Sequence, residues 1–376
     1  MRLIDIISNE YRTIFRDEGV VLIMLLAPII YATIYSLTYG TEVLRNIPIG
    51  VVDMSHTPSS RQLIEEMNSC PNIVVAYETN DMQEAKRLLF GREIYGVAYI
   101  HSDYEKRLLR GESTTIAIYL DASYMLAYRQ VFQALTTTIF ATDTFIEFEQ
   151  LLAHDTPAAQ AQTMAQPIKY EPYSLFNPSL GYGTFVMPPA LILILQQTLL
   201  IGIGMIGGTR RRWSTAQTST FKTIIGRSTA YFSLYAIISL YLFTVHYRLF
   251  DYPTNGRVGE IAIFIGIYLL ACIVAAIALS TLFRQRESPL MLLLWVSIPL
   301  LMISGISFPA EDMPVWVQTI AKIFPSTFGI QGFVRLQTMG ASLGEVLAEI
   351  ESLAILIVIY FAAAYIAIER QRDSKA

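Results

Sequence analysis

The sequence predicts an α-helical multi-pass membrane protein of six spans, with an extracytoplasmic α/β domain and long helices inserted after the first span. Three observations lead there. Hydrophobic residues fill 53% of the 376 positions, charged residues only 15%, and the mean hydropathy is +0.44, so much apolar surface must face lipid. Six apolar runs are bounded by charge and almost free of it inside, and between the first two lies a long stretch, 41–180, of quite different composition.

A hydrocarbon core of about 30 Å takes about 20 mostly apolar residues per helix, because lipid offers the backbone no hydrogen-bond partners. The runs are 19–40, 183–208, 229–247, 261–283, 289–308 and 353–368, the last being the shortest. Pro28, Pro188, Pro189 and Pro299 fall inside them, where neighbouring helices can satisfy the freed carbonyls. The first run is too long for a signal-peptide core and no small-x-small site follows it, so it reads as a retained anchor. Arg2, Arg12 and Arg16 precede the first run; Arg210, Arg211, Arg212, Lys222 and Arg227 lie between the second and third. Arg284 and Arg286 follow the fourth, and Arg370, Arg372 and Lys375 the sixth. The positive-inside rule places all of these, and both termini, in the cytoplasm.

Residues 1–18 read as an amphipathic helix in the cytoplasmic headgroup plane, with Leu3, Ile4, Ile7, Tyr11, Ile14 and Phe15 on the apolar face. Asp5, Ser8, Asn9, Arg12 and Arg16 lie opposite. The stretch 41–180 alternates strand patterns at 47–53, 73–77, 95–100 and 115–120 with helical ones at 59–69, 81–89 and 104–109, Asp81 being an N-cap candidate. That alternation predicts an α/β layer. Beyond it, Tyr128, Val131, Phe132, Leu135, Ile139, Phe145, Phe148 and Leu152 recur at helical spacing and predict one or two long helices. The remainder, 181–376, holds the other five spans, a cytoplasmic loop at 209–227 and an outer re-entrant loop at 305–340.

Several functions are excluded. A net charge of -4 gives no basic field for nucleic acid. No G-x-x-x-x-G-K-[ST] loop exists to cradle nucleotide phosphates, so the chain does not hydrolyse ATP alone. His56, His101, His154 and His246 stand far apart without metal-ligand spacing, no hydrolase motif is present, and the two cysteines, Cys70 and Cys272, make no disulfide framework. The spans contain essentially no acidic or basic residue of the kind that couples transport to protons or ions. The expectation is no catalytic site and no metal or cofactor on this chain.

Two segments remain. The loop Gly207 to Arg227 combines charge with helical spacing: either its arginines fix topology and touch anionic headgroups, or a short helix there docks into a soluble motor subunit. The loop after the fifth span carries Gly305, Phe308, Pro309, Met313, Pro314, Trp316 and Pro325; its prolines forbid one continuous helix and its apolar residues favour short helices dipping back into the outer leaflet.

The order of these features resembles the permeases of type-two ATP-binding cassette exporters, in the subgroup with a large extracytoplasmic domain after the first span. The resemblance covers nearly the whole chain. It rests on the amphipathic lead-in, the strand at Pro48 to Asp53, Phe176-Asn177-Pro178 before the second span, and Gly-x-x-Phe-Pro-x-x-x-Met-Pro at Gly305 to Pro314 with Pro325 beyond. It implies a second permease, as homo- or heterodimer, and a cytoplasmic ATPase carrying ATP and magnesium. It also implies a periplasmic adaptor and outer-membrane channel in a Gram-negative inner membrane, and outward movement of a drug, lipid or envelope component. The ATPase-coupling loop would use Arg210, Arg211, Arg212, Phe221, Lys222 and Arg227. Many relatives carry carboxylates around the Gly-Thr of that loop, whereas here Gly208-Thr209 meets three arginines and no acid before the third span. For the substrate path, Gln196 and Gln197 on span two and Tyr31 and Tyr35 on span one are candidates; amides and aromatic stripes also serve plain helix packing. The alternative function is a membrane receptor whose outer α/β domain binds a ligand, which would call for a cytoplasmic output domain larger than the loop at 209–227.

Overall fold

The computed structural model describes residues 2–169, 172–210 and 219–373. They form two compact units, Val43–Tyr173 and the pair of segments Met1–Glu42 and Ser174–Ala376.

The smaller unit is built on a four-stranded sheet: β1 (Ile47–Asp53), β2 (Ile73–Thr79), β3 (Gly96–Ile100) and β4 (Ile116–Leu120), in the order β2-β1-β3-β4. β1 pairs in parallel with β2 and β3, while β3 and β4 are antiparallel. β1 is buried along almost its whole length, as its unbroken apolar run and central place require. Helix α3 (Pro58–Ser69) starts at Thr57, whose hydroxyl accepts from Ser60 N, and α4 (Met82–Phe90) starts at Asp81, whose carboxylate accepts from Gln83 N at 2.8 Å. After the short α5 (Tyr104–Leu109) and β4 comes α6 (Met125–Ala153), then α7 (Ala158–Ala165). The long-helix pattern from Tyr128 to Leu152 therefore falls in one helix of 29 residues, with the 8-residue α7 beyond it. Ile49, Val51, Leu63, Met67, Val131 and Leu135 meet in the core.

The larger unit opens with α1 (Leu3–Arg16) and α2 (Glu18–Thr38). It continues through α8 (Tyr182–Thr209), α9 (Thr220–Leu249), α10 (Val258–Ser280), α11 (Ser288–Ile303), α12 (Val315–Ala321), α13 (Pro325–Gln337) and α14 (Leu347–Asp373). Among the described residues five helices, α2, α8, α9, α10 and α14, are long and apolar enough to cross a membrane. α11 is apolar but has only 16 residues, about 24 Å of helix against a core of about 30 Å. The shortest candidate is thus the fifth run and not the last. The last looked short because hydropathy stops at Glu351 and Glu369, yet the helix extends past its acids, and Glu349 in its first turn is paired with Arg335 at 2.6 Å. α9 likewise starts nine residues before the apolar run predicted at 229, because Thr220, Thr223, Ile224 and Gly226 are packed inward and hold that first stretch as helix.

α8 is the hub, packed against α2, α10, α11 and α13. Its N-terminus is tied by Glu42, whose carboxylate accepts from Thr184 N and Thr184 Oγ1, each at 3.1 Å. Asn177 brackets Gly181, donating from Nδ2 to its carbonyl at 2.9 Å and accepting from its N–H at 3.0 Å. Close approach elsewhere needs glycine: a Cβ on Gly332 of α13 would stand 2.3 Å from the Phe264 ring of α10. Two stretches, Leu22–Leu26 in α2 and Tyr241–His246 in α9, are wound as π-helix. Beyond them Ser36 Oγ lies 3.1 Å from His246 Nε2 and accepts from the Tyr252 hydroxyl at 3.0 Å.

Candidate coupling site

α1 turns toward the protein on a narrow stripe, Ile6, Glu10 and Ile14, spaced four residues apart. The face expected to be apolar is mostly left open: Ile4 is 75% exposed and Phe15 57%. Ile14, assigned to that face, turns inward instead, because the close approach of α1 to Gly226 of α9 selects the Ile6 stripe; a Cβ on Gly226 would be 2.9 Å from Ile6 Cγ2.

Glu10, in the middle of this stripe, is 2% exposed. Its Oε2 accepts from Arg210 Nη2 at 2.5 Å and lies 3.4 Å from Arg227 Nε. Its Oε1 accepts from the Tyr231 hydroxyl. One carboxylate thus joins α1, the end of α8 and the first turns of α9. Burial works against the Arg210 charge, but the Glu10 carboxylate outweighs it and holds that guanidinium above its usual range. A second tie lies close in sequence: Asp17 caps α2 through Val20 N at 3.1 Å and pairs with Arg286.

The expected coupling residues therefore divide. Arg210 and Arg227 are drawn together on Glu10, whereas Phe221 and Lys222 are exposed on the first turn of α9 with Ile225 one turn on. Phe221 also meets Phe361 of α14 edge-on, ring centroids 5.7 Å apart. Arg211 and Arg212 lie outside the described residues. Sequence reasoning missed Glu10. Its signal was an acid centred on an Ile-x-x-x-Glu-x-x-x-Ile stripe, paired with a basic loop that holds no acid of its own.

The candidate path residues divide as well. Gln196 is fully buried; Nε2 donates to Ser326 Oγ at 3.0 Å and Oε1 accepts from Ser326 N at 2.7 Å, tying α8 to α13. Gln197 is 8% exposed, and neither of its amide atoms has a hydrogen-bond partner among the described residues. Tyr31 and Tyr35 are nearly half exposed along α2. In the loop after α11, Gly305 takes φ +89°, a 3-10 turn covers Ala310–Asp312, and Pro314 precedes α12. Phe308 is exposed, and Met313 accepts from Gln318 Nε2 through its carbonyl at 2.9 Å.

A sequence profile described as ABC-2 family transporter protein matches residues 19–366. The chain belongs to the ABC-2 transporter family. Relatives are distant but extend over most of its length. A linearmycin resistance permease protein, LnrN, of Bacillus subtilis is 21% identical, covering 96% of this chain and 98% of its own. A probable multidrug ABC transporter permease, YbhR, of Escherichia coli is 18% identical over 86% of each. An ABC transporter G family member 20 of Dictyostelium discoideum is 20% identical over 98% of this chain, which spans about half (51%) of that protein's length. This ABC-2 protein is a multi-pass membrane permease subunit of an ABC exporter, and the family implies a partnering ATP-binding cassette ATPase.

Proposed function

We propose that this permease moves an amphipathic compound outward, a drug, lipid or envelope component, driven by ATP and magnesium on a separate cytoplasmic ATPase. The names of the multidrug and linearmycin resistance relatives support that substrate class. In this reading α11 is a short sixth span, both termini are cytoplasmic, and Val43–Tyr173 stands outside the membrane as in the subgroup with a large extracytoplasmic domain. The even number of spans puts Arg2, Arg12, Arg16, the loop Arg210 to Arg227, Arg284, Arg286, Arg370 and Arg372 on one side, while Arg257 and Arg335 lie on the other. A second permease completes the pathway. An adaptor and outer-membrane channel, with a Gram-negative inner membrane, extend the same reading.

The observation that carries the coupling role is the exposed patch of Phe221, Lys222 and Ile225 at the start of α9, held in place from behind by the Glu10 cluster. Exposed aromatic and cationic groups on a rigid helix start suit a protein partner. The path role of Gln197 rests on its unpaired amide. The test is co-purification of the detergent-solubilised chain from its native host, with ATPase activity assayed on wild type and on the double variant Phe221→Asp, Lys222→Glu. An ATPase subunit that travels with the wild type and is lost from the variant supports the patch. An ATPase retained equally by both places the contact elsewhere.

A further inference from the structure

α9 ends at Leu249, the chain turns through Asp251 at φ +52°, and α10 begins at Val258. Between the two helices lies a cavity of about 590 Å³, within the range of about 300–1,000 Å³ common for small-molecule sites. Its wall is mostly apolar, with Ser239, Thr244 and Gln337 as polar members. Ala236 from α9 and Ala262 and Gly266 from α10 keep it open, and a Cβ on Gly266 would come no nearer than 3.7 Å to the Phe232 ring. Leu240 and Val258, which also line it, are 63% and 75% exposed, so the slot opens sideways from the helix pair. Such a void beside two membrane-crossing helices forfeits dispersion contacts unless hydrocarbon enters it.

The end at Leu249 and Val258 is different. Arg248 and Asp251 both line the cavity there, and neither takes part in an ion pair among the described residues. Tyr247 beside them lines it too; it is 2% exposed, and its hydroxyl has no hydrogen-bond partner among the described residues. A buried hydroxyl without a partner is costly, and a ligand that accepts from it removes the cost. An apolar slot ending in a guanidinium, a carboxylate and a free phenolic hydroxyl matches one chemistry: a hydrocarbon chain, an ester carbonyl, a phosphate and an ammonium.

We propose that this slot binds one acyl chain of a zwitterionic aminophospholipid, with the phosphate at Arg248, the ammonium at Asp251 and an ester carbonyl accepting from Tyr247. Arg248 offers the planar fork that suits a phosphate. The inference rests on the chain spanning a membrane and not on the substrate or coupling readings, so its failure would leave those untouched.

The test uses the full-length chain in detergent, with phosphatidylethanolamine, phosphatidylglycerol and palmitate as probes. Bound lipid per chain is counted by native mass spectrometry, and the unfolding midpoint is followed as each probe is added. Wild type is expected to keep phosphatidylethanolamine through washing and to bind it more tightly than phosphatidylglycerol or palmitate. Gly266→Leu, which fills the slot, loses the lipid. Arg248→Gln, at the open end where folding is not at stake, binds phosphatidylethanolamine about tenfold or more weakly while palmitate binding is unchanged. Equal binding of phosphatidylethanolamine by wild type and Arg248→Gln overturns the proposal, as does equal retention by Gly266→Leu. Wild-type binding that is the same for all three probes overturns it too.

Discussion

At the scale of single residues, neighbouring amides in α8 have opposite surroundings. Gln196 answers both the hydroxyl and the backbone N–H of Ser326, so Gln196→Leu leaves a buried N–H without an acceptor and is expected to cost about 1–3 kcal/mol of stability. Gln197 has no partner among the described residues, so Gln197→Leu is expected to be neutral or slightly stabilising. Thermal unfolding of the two variants in detergent separates them, and a loss at Gln197 equal to that at Gln196 would sink the distinction. Transport assays on Gln197→Leu then test its place on the path. The sequence made both amides visible as rare polar groups in a span. Which of them pairs was not legible, because that depends on Ser326 lying 130 residues away.

The elements show where reading from the sequence succeeds and where it stops. β1 and α5 have the bounds their patterns predict, and Asp81 caps α4, because these features are local: strand alternation, a turn, a side chain reaching two residues on. The two stretches of π-helix left no mark in hydropathy. On α1 the apolar face was read as a single set, and Ile14 was placed with the wrong side of it, for a related reason. Apolar periodicity marks a face that avoids water, but both lipid and protein satisfy that need, and the open Ile4 and Phe15 face satisfies it differently from Ile6 and Ile14. Glu10 sits on the protein side, and it is what fixes α1 to α9. Glu10→Ala leaves buried guanidinium charge without its carboxylate and is expected to cost about 3–5 kcal/mol. The expected signature is loss of amide-exchange protection along α1 and at the start of α9; protection unchanged from wild type would show that packing at Gly226 suffices.

For the whole molecule, the family and the multi-pass character were legible in the order of weak motifs, none of which sufficed alone. The number of spans turns on α11, whose 16 residues fall short of the usual length, and the proposal that Val43–Tyr173 stands outside rests on the arginines at 210–227, 284–286 and 370–372. The chain carries its own reporter for that side. Cys70 is partly exposed in the smaller unit, and Cys272 is fully buried in α10. A membrane-impermeant maleimide applied from outside is expected to label wild type and not Cys70→Ser. Labelling that requires access to the cytoplasmic face would place the unit inside and reverse the topology.

The double nature of α1 has a mechanical side. One face of that helix is clamped to α9 through Glu10, and the other leaves Ile4 and Phe15 mostly exposed. If that open face lies in the headgroup plane, a change in bilayer thickness that shifts α1 is expected to shift the start of α9 with it, and Phe221 and Lys222 stand one to two turns from the clamp at Gly226 and Arg227.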